Sequence, residues 1–158
     1  MGIQSLQNSL KGLIGFLEQS DRIVNLILSR PDVQQFIIKM NTDDQLFKDG
    51  INNLGVTLES IGGSYTSFTV SEKTRKGQPT DRITLKDTGD FYSSFRIELG
   101  SDFFEITANT IKDGTDLRSR WGDEILGLTD ENLQRLIDKL RNEIEIVVRK
   151  EIQKRFAA

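Results

Sequence analysis

The sequence predicts an α+β fold, in which a small antiparallel β-sheet packs against a long C-terminal helix and a helical N-terminal segment precedes both. Apolar side chains recur at helical spacing over residues 130–154. Residues 95–110 instead alternate between apolar and polar side chains around a Gly-Ser pair, which is typical of a β-hairpin. We therefore divide the chain into a helical segment, 1–42, and an α+β domain, 43–158.

Length and composition are those of one globular domain. The chain has 158 residues, of which 36% are hydrophobic and 28% charged, and its formal net charge of -3 gives no overall indication of nucleic-acid binding. It contains neither cysteine nor histidine. This excludes disulfides, zinc sites of the Cys/His kind, thiol nucleophiles and imidazole bases, so any catalysis would depend on carboxylate, Lys, Tyr or Ser side chains.

The N-terminal segment shows the spacing of amphipathic helices. Ser20 and Asp21 are suited to cap a second helix, which Arg30-Pro31 would end. No stretch has the unbroken apolar core of a signal peptide or the roughly 20 apolar residues of a membrane span, so we expect a protein made in the cytoplasm and not exported. The apolar positions of the first helix are Leu6, Leu10, Leu13, Ile14 and Leu17.

The middle of the chain predicts a change from helix to strand. Thr42-Asp43-Asp44-Gln45 has the pattern of a capping box, and Gly55 would end the helix that it starts. Residues 65–70 are rich in aromatic and β-branched side chains, which predicts a strand. The Gly, Pro and polar residues of 71–81 then predict an exposed, mobile arm.

The sequence next predicts a β-hairpin, followed by a separate turn. Residues 95–99 and 102–110 would form the two strands of the hairpin, with Gly100-Ser101 as a two-residue type II′ turn. Asp113-Gly114 predicts another turn, and residues 115–121 a short helix that ends at Trp121-Gly122.

The C-terminal helix has the clearest start signal in the chain. Thr129 is a natural N-cap, and Asp130 and Glu131 suit the positive end of the helix dipole. Leu128 can pack onto Leu133 as a hydrophobic staple. A helix over 130–154 would be about 37 Å long at 1.5 Å per residue.

Three catalytic or metal-binding patterns are incomplete. Pro79-Thr80-Asp81 resembles the opening of a restriction-type nuclease motif, but neither Glu98 nor Glu105 is followed by the Lys of a Glu-x-Lys element. The turn at 113–116 lacks the repeated oxygen ligands of a calcium loop. Ser93 and Ser94 have no histidine to activate them. Because these patterns are incomplete, we expect the protein not to be an enzyme and to bind neither a metal nor a cofactor.

Basic side chains are concentrated in residues 71–86. They exceed the acidic side chains of that stretch, which makes contact with DNA conceivable, but no aromatic residue is interleaved to stack on a base. A charged loop of this kind is more often a solvated surface. The basic residues are Lys73, Arg75, Lys76, Arg82 and Lys86.

The stretch KDTGDFYSSF, residues 86–95, predicts a structural corner. Asp87 or Thr88 can cap one helical turn, and Gly89 frees the backbone next to it. Phe91 and Phe95 are four residues apart, so both would enter the core on the same side.

The same stretch carries a family resemblance. Thr88-Gly89-Asp90-Phe91-Tyr92-Ser93-Ser94 follows a Thr-Gly-x-apolar-x-x-Ser pattern, and over residues 43–155 the chain resembles the tail-completion or head-to-tail joining (neck, connector) proteins of tailed bacteriophages, in particular those of Bacteroidota phages and prophages. The segments that carry the likeness are TLKDTGDFYSSFRI and GLTDENLQRLIDKLR. Arg120-Trp121-Gly122 loosely matches a Glu-aromatic-Gly element of that family.

The resemblance implies a non-enzymatic structural protein of the virion. It would form a ring of identical subunits between portal and tail, bind the portal or an adjoining neck protein and a tail protein, touch DNA in the channel without sequence preference, and require no membrane and no cofactor. The alternative is a cytoplasmic, phage-encoded adaptor or regulatory protein that binds its partner through residues 1–42. The expected assembly contacts are Lys73, Arg75, Lys76, Thr88, Gly89, Arg120 and Trp121.

Overall fold

A computed structural model describes residues 2–157 and confirms the mixed helical and β-sheet fold. Three helices open the chain, and a long helix ends it. The helices are α1 (Ile3–Leu17), α2 (Ser20–Leu28), α3 (Pro31–Lys39), α4 (Leu58–Gly62), α5 (Ser67–Arg75), α6 (Asp90–Ser93), α7 (Arg118–Trp121) and α8 (Asp130–Phe156). The strands are β1 (Arg96–Leu99), β2 (Phe104–Thr107), β3 (Ile111–Lys112) and β4 (Thr115–Asp116).

The helix that begins with α3 continues further than the sequence predicts. Its backbone passes without a break into a π-helical segment, Met40–Asp49, which ends at Gly50 in the left-handed conformation. The predicted capping box at 42–45 and helix end at Gly55 are therefore wrong. The Thr42 hydroxyl donates to the Ile38 carbonyl within the helix, and the Gln45 side chain makes tertiary hydrogen bonds instead. The boundary placed between residues 42 and 43 falls inside this helical run.

The predicted strand at 65–70 is wrong, because residues 67–75 form α5. The Thr66 hydroxyl accepts a hydrogen bond from the Thr69 backbone N–H and so caps this helix. The preference of aromatic and β-branched residues for strands depends on neighbouring strands in a sheet. Here the local helix cap has the stronger effect. The predicted mobile arm is corrected by the same observation, since the first five of its residues are helical.

The β1–β2 hairpin is confirmed, but its turn differs from the prediction. Arg96 pairs with Thr107 and Leu99 pairs with Phe104, which leaves four residues in the connection. The Gly100 backbone N–H donates to the Phe103 carbonyl, and the Phe103 ring folds over Gly100. The two-residue type II′ turn is therefore replaced by a four-residue loop.

A second, shorter hairpin contains the predicted turn at Asp113-Gly114. Both residues have positive φ angles, 50° and 78°, as a type I′ turn requires. Thr115 and Asp116 belong to β4, so the helix predicted over 115–121 starts only at Arg118.

The C-terminal helix begins where the sequence predicts. The Thr129 hydroxyl accepts from the Asn132 backbone N–H, and α8 then runs for about 40 Å, in contact with α1 and α2. The β1–β2 hairpin lies against α3, and Phe104 and Ile106 border the same surface depression as Leu133 of α8. A hydrophobic cluster joins residues from all these elements, including Ile27, Val33, Ile37, Leu58, Phe95, Ile125 and Leu136.

Buried amide side chains join the π-helical segment to the start of α8. Gln45 donates to the Gly127 carbonyl at 3.0 Å and accepts from the Thr129 backbone N–H at 2.9 Å and from the Asn132 amide at 2.8 Å. Asn41 donates to the Ile125 carbonyl and accepts from the Gly127 N–H. Because Asn41, Gln45 and Asn132 are almost completely buried, each hydrogen bond replaces one that water would otherwise make.

We predict that Gln45→Leu lowers the free energy of unfolding by about 2–4 kcal/mol, since it leaves several buried polar groups without partners. Urea unfolding of the purified protein measures the change. The matched control is Gln35→Leu on the exposed side of α3, for which we expect less than about 0.5 kcal/mol. Equal stabilities of the two variants would contradict a structural role for the Gln45 amide.

Candidate functional site

The Thr88-Gly89 corner is structural, as the sequence predicts. Gly89 has a φ of 100° and precedes α6, and the Thr88 hydroxyl donates to the Asp90 carboxylate at 2.7 Å. Phe91 and Phe95 are both buried, with ring centroids 5.0 Å apart in an edge-to-face arrangement. The corner anchors the chain between the core and a neighbouring cleft.

This cleft, of about 360 Å³, is the candidate functional site and is called the lysine cleft below. It lies between α5, the segment 83–87, β3 and α7. Aromatic rings and lysines dominate its lining, and two acidic side chains accompany them. These side chains are Tyr65, Phe68, Trp121, Lys73, Lys76, Lys86, Lys112, Glu72 and Asp87.

Lys73 lies in the wall of the cleft and not, as the sequence predicts, on an exposed arm. Its side chain is only 6% exposed. The ammonium group donates to the Lys86 carbonyl at 2.7 Å and to Gln78 Oε1 at 3.0 Å, and lies 5.0 Å from the centre of the Tyr65 ring. These contacts occupy the lysine within its own chain and tie α5 to the segment 83–87.

Asp87 bridges two lysines at the mouth of the cleft. One carboxylate oxygen is bonded to Lys76, and the other accepts from Lys112 Nζ at 2.9 Å. The hydrogen bonds from Lys76 and Lys112 lower the pKa of Asp87 from its ordinary 3.8 to about 2. The ion-pair network thereby links α5 to β3 across the segment 83–87.

Two tyrosines hold the segment 83–87 in place. The Tyr65 hydroxyl accepts from the Thr84 backbone N–H at 2.9 Å, and the Tyr92 hydroxyl donates to the Thr84 carbonyl. Burial raises the pKa of Tyr92 well above its usual range. Between these anchors and Asp87, Leu85 adopts a φ of 54°, an uncommon conformation for a branched side chain that the surrounding contacts must maintain.

Arg120 and Trp121 form the α7 side of the site. The Arg120 guanidinium donates to the Gly62 carbonyl at 2.8 Å and lies 4.6 Å from the centre of the Trp121 ring. The indole Nε1 is buried and has no hydrogen-bond partner within residues 2–157. Trp121 is therefore partly core and partly cleft lining.

The structure brings together some of the residues expected as assembly contacts. Lys73, Lys76 and Trp121 line the lysine cleft, with Arg120 beside it. Thr88 and Gly89 line an adjoining depression that shares Leu85, Asp87 and Lys112 with the cleft. Arg75 lies on the exposed side of α5, where it pairs with Glu72 at 2.6 Å.

Sequence reasoning missed Phe68, Leu85 and Lys112 as parts of the site. The signal for Phe68 was an isolated large apolar side chain in an otherwise polar helix, and it is 76% exposed at the edge of the cleft. The strand predicted over residues 65–70 obscures this signal, because it does not place Phe68 on a helix. Nothing in the sequence around Leu85 indicates its left-handed backbone.

The arrangement is suited to binding. Within the part of the chain that the structure describes, no three acidic side chains gather in a way that could hold a metal ion. Glu98 and Glu105 form a cross-strand pair in the β1–β2 hairpin, while Asp87 is engaged with two lysines. The cleft instead offers aromatic surface and positive charge.

Comparison with known proteins gives no assignment, because no protein-family model, curated protein or solved structure matches the chain. None of the helices within residues 2–157 combines the length and apolar character needed to cross a membrane.

We predict that Lys73→Met lowers the free energy of unfolding by about 1–3 kcal/mol, because the buried Lys86 carbonyl and its neighbours lose their charged donor. Arg75→Met, two residues along the same helix, removes only an exposed ion pair and should lower the stability much less. Chemical unfolding of both variants provides the comparison. If Lys73→Met were as stable as Arg75→Met, the hydrogen bonds of Lys73 would not stabilise the fold.

We predict a pH effect from the lowered pKa of Asp87. A carboxylate that is more acidic in the folded state stabilises the protein above its ordinary pKa, and this contribution is lost as the pH falls from about 4 to about 2. Asp87→Asn should therefore make the loss of stability in that window less steep, as measured by unfolding at a series of pH values.

The control for this measurement is Asp49→Asn, an exposed aspartate that forms no ion pair with any residue in 2–157. It removes one carboxylate outside the Lys76–Asp87–Lys112 network, so the slope of Asp87→Asn is compared with that of a variant of equal charge. A slope that Asp87→Asn does not alter would show that the Lys76–Asp87–Lys112 network contributes nothing to stability.

Proposed function

We propose that the chain is a structural subunit of a tailed-phage head-to-tail connector, which forms a ring between portal and tail in the virion. One observation supports this proposal more than any other: the chain has two surfaces suited to protein contacts, and they are built from separate elements. A connector subunit needs separate surfaces because it binds neighbours on more than one side. The resemblance of residues 43–155 to neck proteins supports the same proposal.

The first surface is the lysine cleft. Trp121 belongs to its wall, and residues 122–129, which include a 3₁₀ helix at Asp123–Ile125, connect α7 to the N-terminal end of α8. Phe68 projects at the edge of the cleft, beside the lysines that Asp87 holds. An aromatic side chain next to positive charge suits an apolar and acidic segment of a partner protein.

The second surface is α1, at the C-terminal end of α8. Ser9 of α1 donates to the Arg155 carbonyl in the last turn of α8, whereas Asn132 in the first turn is tied to Gln45. The separation of Asn132 and Arg155 along the helix axis is about 35 Å at 1.5 Å per residue. The lysine cleft and α1 share no residue, so separate molecules can contact them.

A second candidate function is that of a phage-encoded adaptor that binds its partner through the N-terminal segment. The observation that favours it is the exposed apolar face of α1, since all fifteen residues of this helix are described and none of them is buried. Residues of α2 and α3, by contrast, belong to the core. The adaptor hypothesis thus concerns α1 rather than the whole of residues 1–42.

The native mass of the purified protein, alone and mixed with the portal protein of its own genome, tests the proposal. We expect the mixture to form a discrete, high-mass ring, even if the protein alone is small. A protein that remains separate from the portal at every ratio would overturn the connector proposal and leave the adaptor.

We predict that Phe68→Glu weakens co-assembly with the portal by at least about tenfold, because it places a charge on the apolar edge of the lysine cleft. Leu54→Glu is the matched control, since Leu54 is similarly exposed and does not line the cleft. Binding titrations on a native-mass column or by interferometry provide the readout. Equal binding by the two variants would remove the cleft from the interface.

A further inference from the structure

The apolar positions of α1 form a heptad seam. Ile3, Leu6, Leu10, Leu13 and Leu17 are spaced alternately by three and four residues, which is the a/d pattern of a coiled coil. We call these five residues the α1 seam. Leu13 is half-buried, whereas the other four are between 42% and 79% exposed.

The helix uses a different face to pack on its own chain. Ser9 donates from its hydroxyl to the Arg155 carbonyl at 3.1 Å, and Gly12 lies directly against the Arg155 guanidinium, which Glu151 holds at 2.6 Å. Phe16 on the same side packs against the core cluster. At about 100° per residue the centre of this face lies roughly 105–110° around the helix from the centre of the seam.

The contacts of α1 with its own chain oppose a rotation that would turn the seam inward. Such a rotation would break the Ser9 hydrogen bond and expose Phe16, and a leucine in place of Gly12 would displace the Arg155 guanidinium. In this packing the seam stays in contact with water, and a continuous apolar stripe of this length seldom stays exposed without a partner molecule.

The charge of α1 indicates which partner fits. Lys11 is the one charged residue between Ile3 and Leu17, and it lies about 80° around the helix from Ile3. The seam and its free flank, Gln7 and Ile14, carry no charge that would select an oppositely charged helix or repel an identical one. The complementary surface is an uncharged helix with the same apolar spacing.

We infer that the α1 seam pairs with the α1 seam of a second copy of this chain. Within residues 2–157, α1 is the one helix that presents a continuous exposed heptad stripe, because the exposed apolar residues of α8 are interrupted by charged ones. A membrane surface fits less well. Helices that lie on membranes carry several Lys or Arg on the polar face, where α1 has Gln4, Asn8 and Lys11.

The inference is independent of the portal. It concerns contact between copies, whereas the connector proposal is tested by binding to the portal, so the failure of one is distinguishable from the failure of the other. An adaptor partner that binds the same face of α1 would compete with the second copy. A short two-helix seam buries less area than a standard interface, and we expect concentration-dependent association rather than a permanent dimer.

Sedimentation equilibrium of the full chain from about 1 µM to about 1 mM, the range in which small interfaces associate, tests the inference. The wild type should increase in mass from 17.9 kDa towards twice that value or more. Leu6→Glu/Leu10→Glu should weaken this association at least about 100-fold, because the seam would have to bury unpaired charges. Circular dichroism shows whether the variant keeps its helical content.

The matched control is Gln4→Glu/Asn8→Glu, which adds the same charge to exposed positions on the other side of α1 and should associate like the wild type. A second measurement does not depend on the charged variants. The chain has no cysteine, so Leu10→Cys introduces a single thiol that a short bifunctional maleimide should cross-link between copies, whereas Asn8→Cys should not be cross-linked.

Three outcomes would overturn the inference. The wild type could remain at 17.9 kDa over the whole range, both charged variants could associate equally, or Leu10→Cys could cross-link no better than Asn8→Cys. Flotation with vesicles of phosphatidylglycerol and phosphatidylcholine distinguishes a membrane partner from a second copy. If the wild type stays monomeric and binds the vesicles, and Leu6→Glu/Leu10→Glu does not bind them, the seam contacts a membrane surface.

Discussion

The buried amides of Asn41, Gln45 and Asn132 join the two halves of the chain. They connect a π-helical segment to the loop before α8, and so determine where the longest helix starts. A buried amide without hydrogen-bond partners lowers the stability of the folded state. Arrangements of this junction that leave the amides unpaired are therefore disfavoured. Every element that packs on α8 takes its position from that junction.

The lysine cleft follows the same principle at a smaller scale. Polar anchors rather than regular secondary structure hold its central segment, with Thr84 bonded to two tyrosine hydroxyls and Lys73 bonded to the Lys86 carbonyl. These bonds maintain the uncommon backbone of Leu85. The result is a fixed concave surface built from a loop, which suits recognition of a partner.

α1 is bound differently from the rest of the chain. Ser9 and Gly12 contact Arg155 of α8 and Phe16 packs on the core cluster, while most of the larger apolar side chains of α1 are exposed to solvent. Because few apolar contacts hold it, α1 is expected to open locally before the core does. Pairing with another copy would then order α1 and strengthen its contact with α8.

Local sequence patterns predict the features that depend on neighbouring residues. Helical spacing and the Thr129 cap located α8, alternation located the β1–β2 hairpin, and the spacing of Phe91 and Phe95 predicted a corner anchored in the core. Tertiary structure decided what depends on partners far along the chain. The side chain of Gln45 resembled a local cap but bonds to residues more than eighty positions away, and Lys73 resembled a solvated charge but is buried against Lys86 and Tyr65. Local pattern cannot distinguish these alternatives, because a polar side chain looks the same in sequence whether water or a distant backbone group satisfies it.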